Sequence, residues 1–386
     1  MSIRGQAYIA GIYEHPTREA KDKSAAELHV ESARGALADA GLGLKDIDGY
    51  FYAGDGPGAL SLANHMGLRL KHLDTTDCGG SSYILHVGHA AEAIAAGKCR
   101  VALITLAGRP RSDPSFGATM RAQNAAAPEY AFEAPYAPAT ANMYALAAMR
   151  HMHEFGTTSE QLAWVKVAAS HHAQWNPNAV LKEVVSVADV LGSPIIASPL
   201  HRLDCCVISD GGGAIIVAAP EIANALKRPR VRIRGAGEAT KHQLGGRIDL
   251  TFSAARWSGP AAFAEAGVTP ADMKYASIYD SFTITVVMQL EDLGFCAKGA
   301  GGRFVADGNL ISGQGRLPFN TDGGGLCNNH PSNRGGLTKV IEAVRQLRGE
   351  AHPKVQVKNC DLAVASGIGG SLATRHTSAT VILERV

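Results

Sequence analysis

Apolar runs punctuated by glycines and by capped helix starts set the rhythm of this chain. Residues 6–12, Gln-Ala-Tyr-Ile-Ala-Gly-Ile, read as a buried strand. Ser24 with Glu27 three residues on makes a capping box that opens a helix to about Ala40, and Gly41 ends it. Asp46-Ile47-Asp48-Gly49-Tyr50-Phe51-Tyr52 leads into a second strand. A helix follows the Cys78 turn to about Gly97, and the apolar run 101–106 predicts a central parallel strand. Alternating strands and helices argue for an α/β fold with helices covering a sheet. From about 108 to 200 this rhythm breaks. That stretch is rich in Ala, Pro, Tyr, Met and His, with helices expected near 138–156 and 158–174. It reads as an insertion over the sheet, a usual place for elements that shape a substrate pocket. Its tyrosines Tyr130, Tyr136 and Tyr144 are open to three readings: substrate, dimer partner or core. Strand returns at 213–218.

A weak internal repeat runs through this pattern. Asp39-Ala40-Gly41-Leu42, with Asp46-Ile47 five residues past the glycine, resembles Glu265-Ala266-Gly267-Val268 with Asp272-Met273 at the same offset. If the halves correspond, so do two turns. One is Asp77-Cys78-Gly79-Gly80-Ser81-Ser82; the other is Asn329-His330-Pro331. Each heads a helix (82–97 and about 334–347), and each helix precedes an apolar strand (101–106 and 361–365). A pseudo-two-fold would bring the turns together. The expected division is 1–245 and 246–386.

Composition narrows the function classes. At 386 residues, 46% apolar, the chain can bury a large core as two domains or one duplicated unit. A net charge of +2 gives no reason to expect nucleic acid as a partner. The N-terminus lacks the apolar core of a signal peptide, and no run approaches the roughly 20 apolar residues of a membrane span. Seven scattered cysteines without CxxC pairs fit reduced thiols in a cytoplasm. His86 and His89 lack a third ligand at matching spacing, so no metal is expected. Gly211, Gly212 and Gly213 read as close-packing glycines, since no Lys-Ser/Thr follows.

The chemistry concentrates at the two turns. A thiol just ahead of a helix start lies near unpaired N–H groups and the positive end of the dipole, which favour the nucleophilic thiolate. A histidine alongside can take its proton. Cys78 and His330 therefore suggest acyl transfer through a thioester. Cys99, Cys205, Cys206, Cys296, Cys327 and Cys360 lack such a setting and read as packing residues.

These pieces in order resemble the thiolase superfamily, and within it the sterol-carrier-protein-type thiolases and their thiolase-like relatives. The pieces are 38–42, the Cys78 turn, 150–158 with 160–163, Leu203-Asp204-Cys205-Cys206 with 209–212, Tyr279-Asp280-Ser281-Phe282, 320–325 and His330-Pro331. The resemblance spans nearly the whole chain. It implies a duplicated αβαβα five-layer fold with an inserted loop domain, a homodimer, and acyl-CoA chemistry with coenzyme A as cosubstrate. Several relatives work with a small companion protein carrying an OB-fold and a zinc ribbon, so a separate partner chain is expected.

The departures from the family pattern carry as much as the matches. The family's His-Asp-Cys-Phe motif reads Tyr279-Asp280-Ser281-Phe282. Tyr279 thus stands at the oxyanion-binding histidine, as a hydrogen-bond donor, a general acid or base, or a core aromatic at a strand end. Asn320 resembles the asparagine that orients an oxyanion-hole water, with turn chemistry as its competing role. The second catalytic cysteine, heading a Cys-x-Gly-Gly turn, is matched to Ser366, a poor acid or base. Gly367 and Gly369 are placed to offer backbone N–H groups to a thioester oxygen. The glycine before the histidine is Asn329.

The leading reading is an acyltransferase working on a β-ketoacyl-CoA through acyl-Cys78. The alternative is a retro-aldolase on a β-hydroxyacyl-CoA, such as a steroid side-chain thioester, using Tyr279 and no covalent intermediate. A non-catalytic lipid-binding or scaffold subunit is the third.

Overall fold

The computed structural model describes residues 2–54, 56–113, 130–133, 139–241, 249–331, 335–370 and 376–386. Tyr136 lies outside them. The strands are β1 (Tyr8–Glu14), β2 (Gly49–Tyr52), β3 (His72–Asp74), β4 (Val101–Gly108), β5 (Ile195–Ala197), β6 (Leu200–His201), β7 (Gly211–Ala218), β8 (Val231–Lys241), β9 (Tyr275–Ile278), β10 (Leu362–Gly370) and β11 (His376–Arg385). The helices that position the site are α1 (Ala25–Ala40), α2 (Ala59–Met66) and α3 (Ser82–Ala95) in the first half. The insertion holds α4 (Tyr130–Glu133), α5 (Thr140–Phe155), α6 (Ser159–Ala173) and α7 (Val187–Gly192). After them come α8 (Pro220–Ala223), α9 (Ala255–Ala266), α10 (Thr283–Asp292), α11 (Gly301–Val305), α12 (Gly324–Cys327) and α13 (Gly336–Arg348).

Nine strands run in the order β3-β2-β4-β7-β1-β8-β11-β10-β9. The two halves of this array join where Tyr8 and Ile9 pair with Arg232 and Val231. Helices α1 and α2 cover the outer face of the first half, and α9 with α10 lie outside the second. Between the two halves lie α3 and α13, packed on each other and on strands of both. This is the expected five-layer αβαβα arrangement. Its inner core joins Ile84, Val87 and Ala91 of α3 to Leu337, Ile341 and Val344 of α13. The strand expected at 101–106 is parallel to β2 on one side and antiparallel to β7 on the other. Strand β8 pairs along β11, so the sheet of the second half begins at Val231, upstream of the expected division at 245/246.

The repeat survives in backbone detail. Ser24 and Glu27 form the capping box of α1, and Gly41 closes it at φ 70°. Gly267 closes α9 at φ 63°. Each glycine is followed by a short turn in which an aspartate accepts the backbone N–H three residues back, Asp46 from Gly43 and Asp272 from Thr269. Each turn then feeds a strand, β2 or β9. Positive φ costs glycine little, so the same residue recurs where both helices must stop before an inward strand. The insertion packs on the second half through α6 against α10, α11 and α12.

Candidate active site

Strand β9 ends at Ile278 and delivers Tyr279 to the seam between the halves. Tyr279 N–H donates to Ser366 O (2.9 Å), and its carbonyl accepts from Gln289 Nε2 (2.8 Å). Asn320 fixes the preceding residue. Its Oδ1 accepts from Ile278 N–H (2.9 Å) and its Nδ2 donates to Ile278 O (2.8 Å), with Asn320 itself at φ 40°. This two-bond clasp holds the amide against the strand end, the turn role, and leaves one Nδ2 hydrogen over.

The Tyr279 hydroxyl lies 2.7 Å from His330 Nε2. The two rings are tilted at 50° with centroids 5.7 Å apart. Burial, with smaller contributions from Cys206, Tyr144 and Asp280, pushes the phenol well above its usual value, and the nearby Gly335 backbone N–H opposes this. Burial lowers the His330 imidazole to about 4, with the Asp280 carboxylate opposing. Both groups are therefore neutral at pH 7. Between a neutral phenol and a neutral imidazole the direction of this bond follows the tautomer: O–H donates to a bare Nε2, and a protonated Nε2 donates to the phenol oxygen.

Asp280, the next residue, is fully buried. It accepts from Lys339 Nζ (2.8 Å), Gly325 N–H (2.8 Å) and Leu326 N–H (3.2 Å). Burial opposes the Lys339 ammonium, but the Asp280 and Asp322 carboxylates hold it above its ordinary value. This ion pair ties α13 to the start of α10 beneath the phenol.

The Cys78 turn meets the same seam from the first half. A Cβ placed at Gly80 would lie 2.9 Å from Tyr279 Cζ, and one at Gly336 would lie 2.3 Å from Gly80 O. A Cβ at Gly369 would come within 1.8 Å of Cys78 O, so this close approach requires glycine. The expected convergence of the two turns is thus real, with Tyr279 between them.

Cys78 itself differs from the expectation of a thiolate at a helix start. It is half-buried, and burial raises its pKa. The hydroxyls of Thr377 and Ser81 lower it, but Asp77 and Glu238 raise it further. Among the described residues no hydrogen bond joins Cys78 to His330, whose Nε2 pairs with Tyr279. The segment leading to Cys78 is held by Asp74, which accepts from Thr76 N–H (2.8 Å) and pairs with His89 (2.6 Å). His89 also meets Glu238 (2.9 Å); burial disfavours its charge, but the two carboxylates raise it to about 10. His86 hydrogen bonds Thr76 O. His89 thus links the Cys78 segment to β8 of the second half's sheet, while His86 braces that segment within the first half.

The register of the β10 turn also differs. Ser366 Oγ points to Thr380 Oγ1 (3.0 Å), which in turn meets Ser258 of α9. Side chains alternate along a strand, so it is Gly367 that faces the seam. A Cβ there would lie 2.8 Å from Ile84 Cδ1 and 3.6 Å from Tyr279 Cβ. The Cys-x-Gly-Gly spacing counted back from Gly369-Gly370 falls on Gly367, not Ser366. The second-cysteine position therefore presents no side chain at all.

Sequence reasoning missed several residues that shape this site. Tyr144 of α5 stacks on Phe282 (centroids 4.5 Å), which settles it as a buried wall of the site; Tyr130 is exposed. Ser209 Oγ accepts the His330 N–H (2.9 Å). Gly335 and Lys339 carry no pattern that marks them. The apolar stretch around Tyr144 was visible, but its direction was not.

A family model described as "Thiolase C-terminal domain-like" matches residues 236–385. The chain is 36% identical over 361 residues to a steroid side-chain-cleaving aldolase of Thermomonospora curvata, covering 90% of this chain and 91% of that protein. It is 32% identical over 392 positions to an acetyl-CoA acetyltransferase of Methanothermobacter thermautotrophicus, covering 98% and 99%. A solved structure described as an Ltp2-ChsH2(DUF35) aldolase superposes with a TM-score of 0.89 at 33% identity, covering 99% of this chain and 98% of that one. The chain belongs to the thiolase superfamily, among its sterol-carrier-protein-type members.

Proposed function

We propose that this protein is a retro-aldolase that cleaves the Cα–Cβ bond of a β-hydroxyacyl-CoA without forming an acyl-enzyme, with Tyr279 and His330 moving the proton. The observation that carries this reading is the 2.7 Å bond between Tyr279 and His330 at the seam. The phenol oxygen takes the β-hydroxyl proton while its own proton passes to His330 Nε2. The Cα–Cβ bond breaks, its electron pair moves into the thioester enolate, and a ketone or aldehyde is released. The proton then returns through the phenol to the enolate carbon, which restores both side chains and yields a shortened acyl-CoA. A neutral phenol with a raised pKa cannot act as a phenolate base alone, so the imidazole behind it is needed. The N-termini of α3 and α13 converge beside the phenol, and their dipoles favour the enolate charge.

The likeness to the two aldolases supports the reading. The DUF35 partner in the name of the solved relative supports the expectation of a companion chain here, and a steroid side-chain thioester is the matching substrate class. Acyl transfer through Cys78 is favoured by its place at the head of α3 and by the acetyltransferase relative. It requires a thiolate that burial opposes and a second acid that Gly367 does not supply.

One experiment separates the two. Wild type, Cys78→Ala and Tyr279→Phe are incubated with matched β-hydroxyacyl- and β-ketoacyl-CoA thioesters, with and without a DUF35-type companion. Products and intact protein masses are then recorded. Cleavage of the hydroxy substrate by Cys78→Ala, and its loss in Tyr279→Phe, supports the retro-aldol reading. An acyl adduct on Cys78 with turnover of the keto substrate replaces it with acyl transfer.

A further inference from the structure

We propose that Asn329, anchored on the Glu14 carboxylate, is a positioning residue that fixes the turn presenting His330 Nε2 to the Tyr279 phenol. The inference rests on the retro-aldol reading above. It also gives a reason for the asparagine found where the resemblance calls for glycine before the histidine.

Glu14 ends β1 in the first half of the chain, and its carboxylate reaches across the seam. Oε1 accepts from Asn329 Nδ2 (2.5 Å), Asn328 Nδ2 (3.0 Å) and Arg18 Nη2 (2.6 Å). Oε2 accepts from Arg345 Nη1 (2.8 Å) on α13. Burial would raise this carboxyl, but Arg345 and Arg18 hold it at about 2, so it stays ionised at working pH. Arg18 closes the other side of the turn, from Nη2 to Asn328 Oδ1 (2.8 Å) and from Nε to Asn328 O (3.2 Å).

The main chain around His330 is pinned in the same way. Asn329 N–H donates to Gly324 O (3.2 Å), and His330 N–H donates to Ser209 Oγ. Asn329 is buried, and its Oδ1 has no partner among the described residues. The bond to Glu14 is therefore what sets the orientation of the amide. A glycine at 329 would leave the turn more backbone freedom and remove one of the donors on Oε1. Because Glu14 also grips α13, one carboxylate ties together the His330 turn and the helix capped by Gly335, which lies beside the phenol ring.

The test compares Asn329→Ala and Asn329→Gly in the wild-type and Tyr279→Phe backgrounds. Neither removes a buried charge, so both are expected to fold. On the hydroxyacyl-CoA, kcat is expected to fall on the order of 10- to 100-fold in each Asn329 variant, with KM within twofold, as for a small misplacement of a reacting group. In the Tyr279→Phe background the same substitution is expected to change the residual rate less than twofold. A readout independent of turnover is the 15N resonance of His330 Nε2, assigned through His330→Gln, which is expected to shift in Asn329→Ala toward its position in Tyr279→Phe. An unchanged kcat, a loss that multiplies with Tyr279→Phe, or an Nε2 resonance that stays put overturns the positioning role. If wild type cleaves no hydroxyacyl thioester, the function reading falls and the resonance alone decides this inference.

Discussion

Replacing Tyr279 by phenylalanine removes one oxygen and leaves the ring packed against Gly80 and Gly335. The lost oxygen leaves His330 Nε2 without its hydrogen-bond partner. Leaving a buried polar group unpaired costs ~1–3 kcal/mol. In a chain of this size each kcal/mol lowers Tm by only about 1–2 °C, so the variant stays folded at 25 °C. The catalytic loss is of another order. Positioned proton transfer contributes roughly 10²- to 10⁴-fold, equivalent to about 3–5 kcal/mol of barrier. The assay follows ketone and shortened acyl-CoA by chromatography with mass detection, alongside a thermal melt. A phenylalanine variant that turns over within threefold of wild type would refute the relay, whatever its Tm.

Four further outcomes follow from the same geometry. Cys78→Ala is expected to retain hydroxyacyl-CoA cleavage within about threefold, because the relay bypasses the thiol; loss of all turnover in a folded protein sinks the non-covalent reading. Gly369→Ala would drive a Cβ into Cys78 O, so it is expected to destabilise by ~3 kcal/mol or more, readable as a lowered denaturant midpoint. Lys339→Met leaves Asp280 buried and uncompensated, at a cost of ~3–5 kcal/mol, and a near-normal melt would contradict the ion pair's role. For pH, the proposed relay takes neutral His330 as its proton acceptor, and burial holds that imidazole down to about 4, so kcat is expected to stay flat from pH 7 to 5 and fall through about 4. The same shift fixes the sign for stability. The unfolded chain, with histidine at its ordinary 6.5, binds the proton before the folded one, so stability drops as pH falls below 6.5 towards 4. Burial lowers His29, His172 and His376 in the same direction, to about 3. A melting temperature indifferent to pH between 7 and 4.5 would contradict this.

Much of the architecture was legible because it is written in local signals. The Ser24–Glu27 box, the glycine stops at 41 and 267 and the apolar strands each act within a few residues, and their repetition disclosed the duplication. The pairing of the Cys78 and His330 turns followed from that symmetry. What failed was direction. Burial outweighs the helix dipole at Cys78, and no sequence pattern measures burial at a loop. A shift of one residue along β10 moves a side chain to the opposite face, so Ser366 was mistaken for a position that Gly367 holds. The amide of Asn320 meets Ile278 through both its oxygen and its nitrogen, a pairing across 42 positions that no local pattern discloses. Glu14 escaped notice because it lies 315 positions from the residue it anchors.

The meeting of Gly80 with Gly336 has a mechanical consequence. Backbone touches backbone there, with no side chain to cushion the joint, and the phenol–imidazole pair sits within the same seam. Cores of the outer layers can tolerate slight loosening, but a proton relay 2.7 Å long cannot. The enzyme should therefore behave as a strain gauge for its own assembly. In rising denaturant, catalysis would fade while helix and sheet content still read as intact, because the fit between halves gives way before either half does.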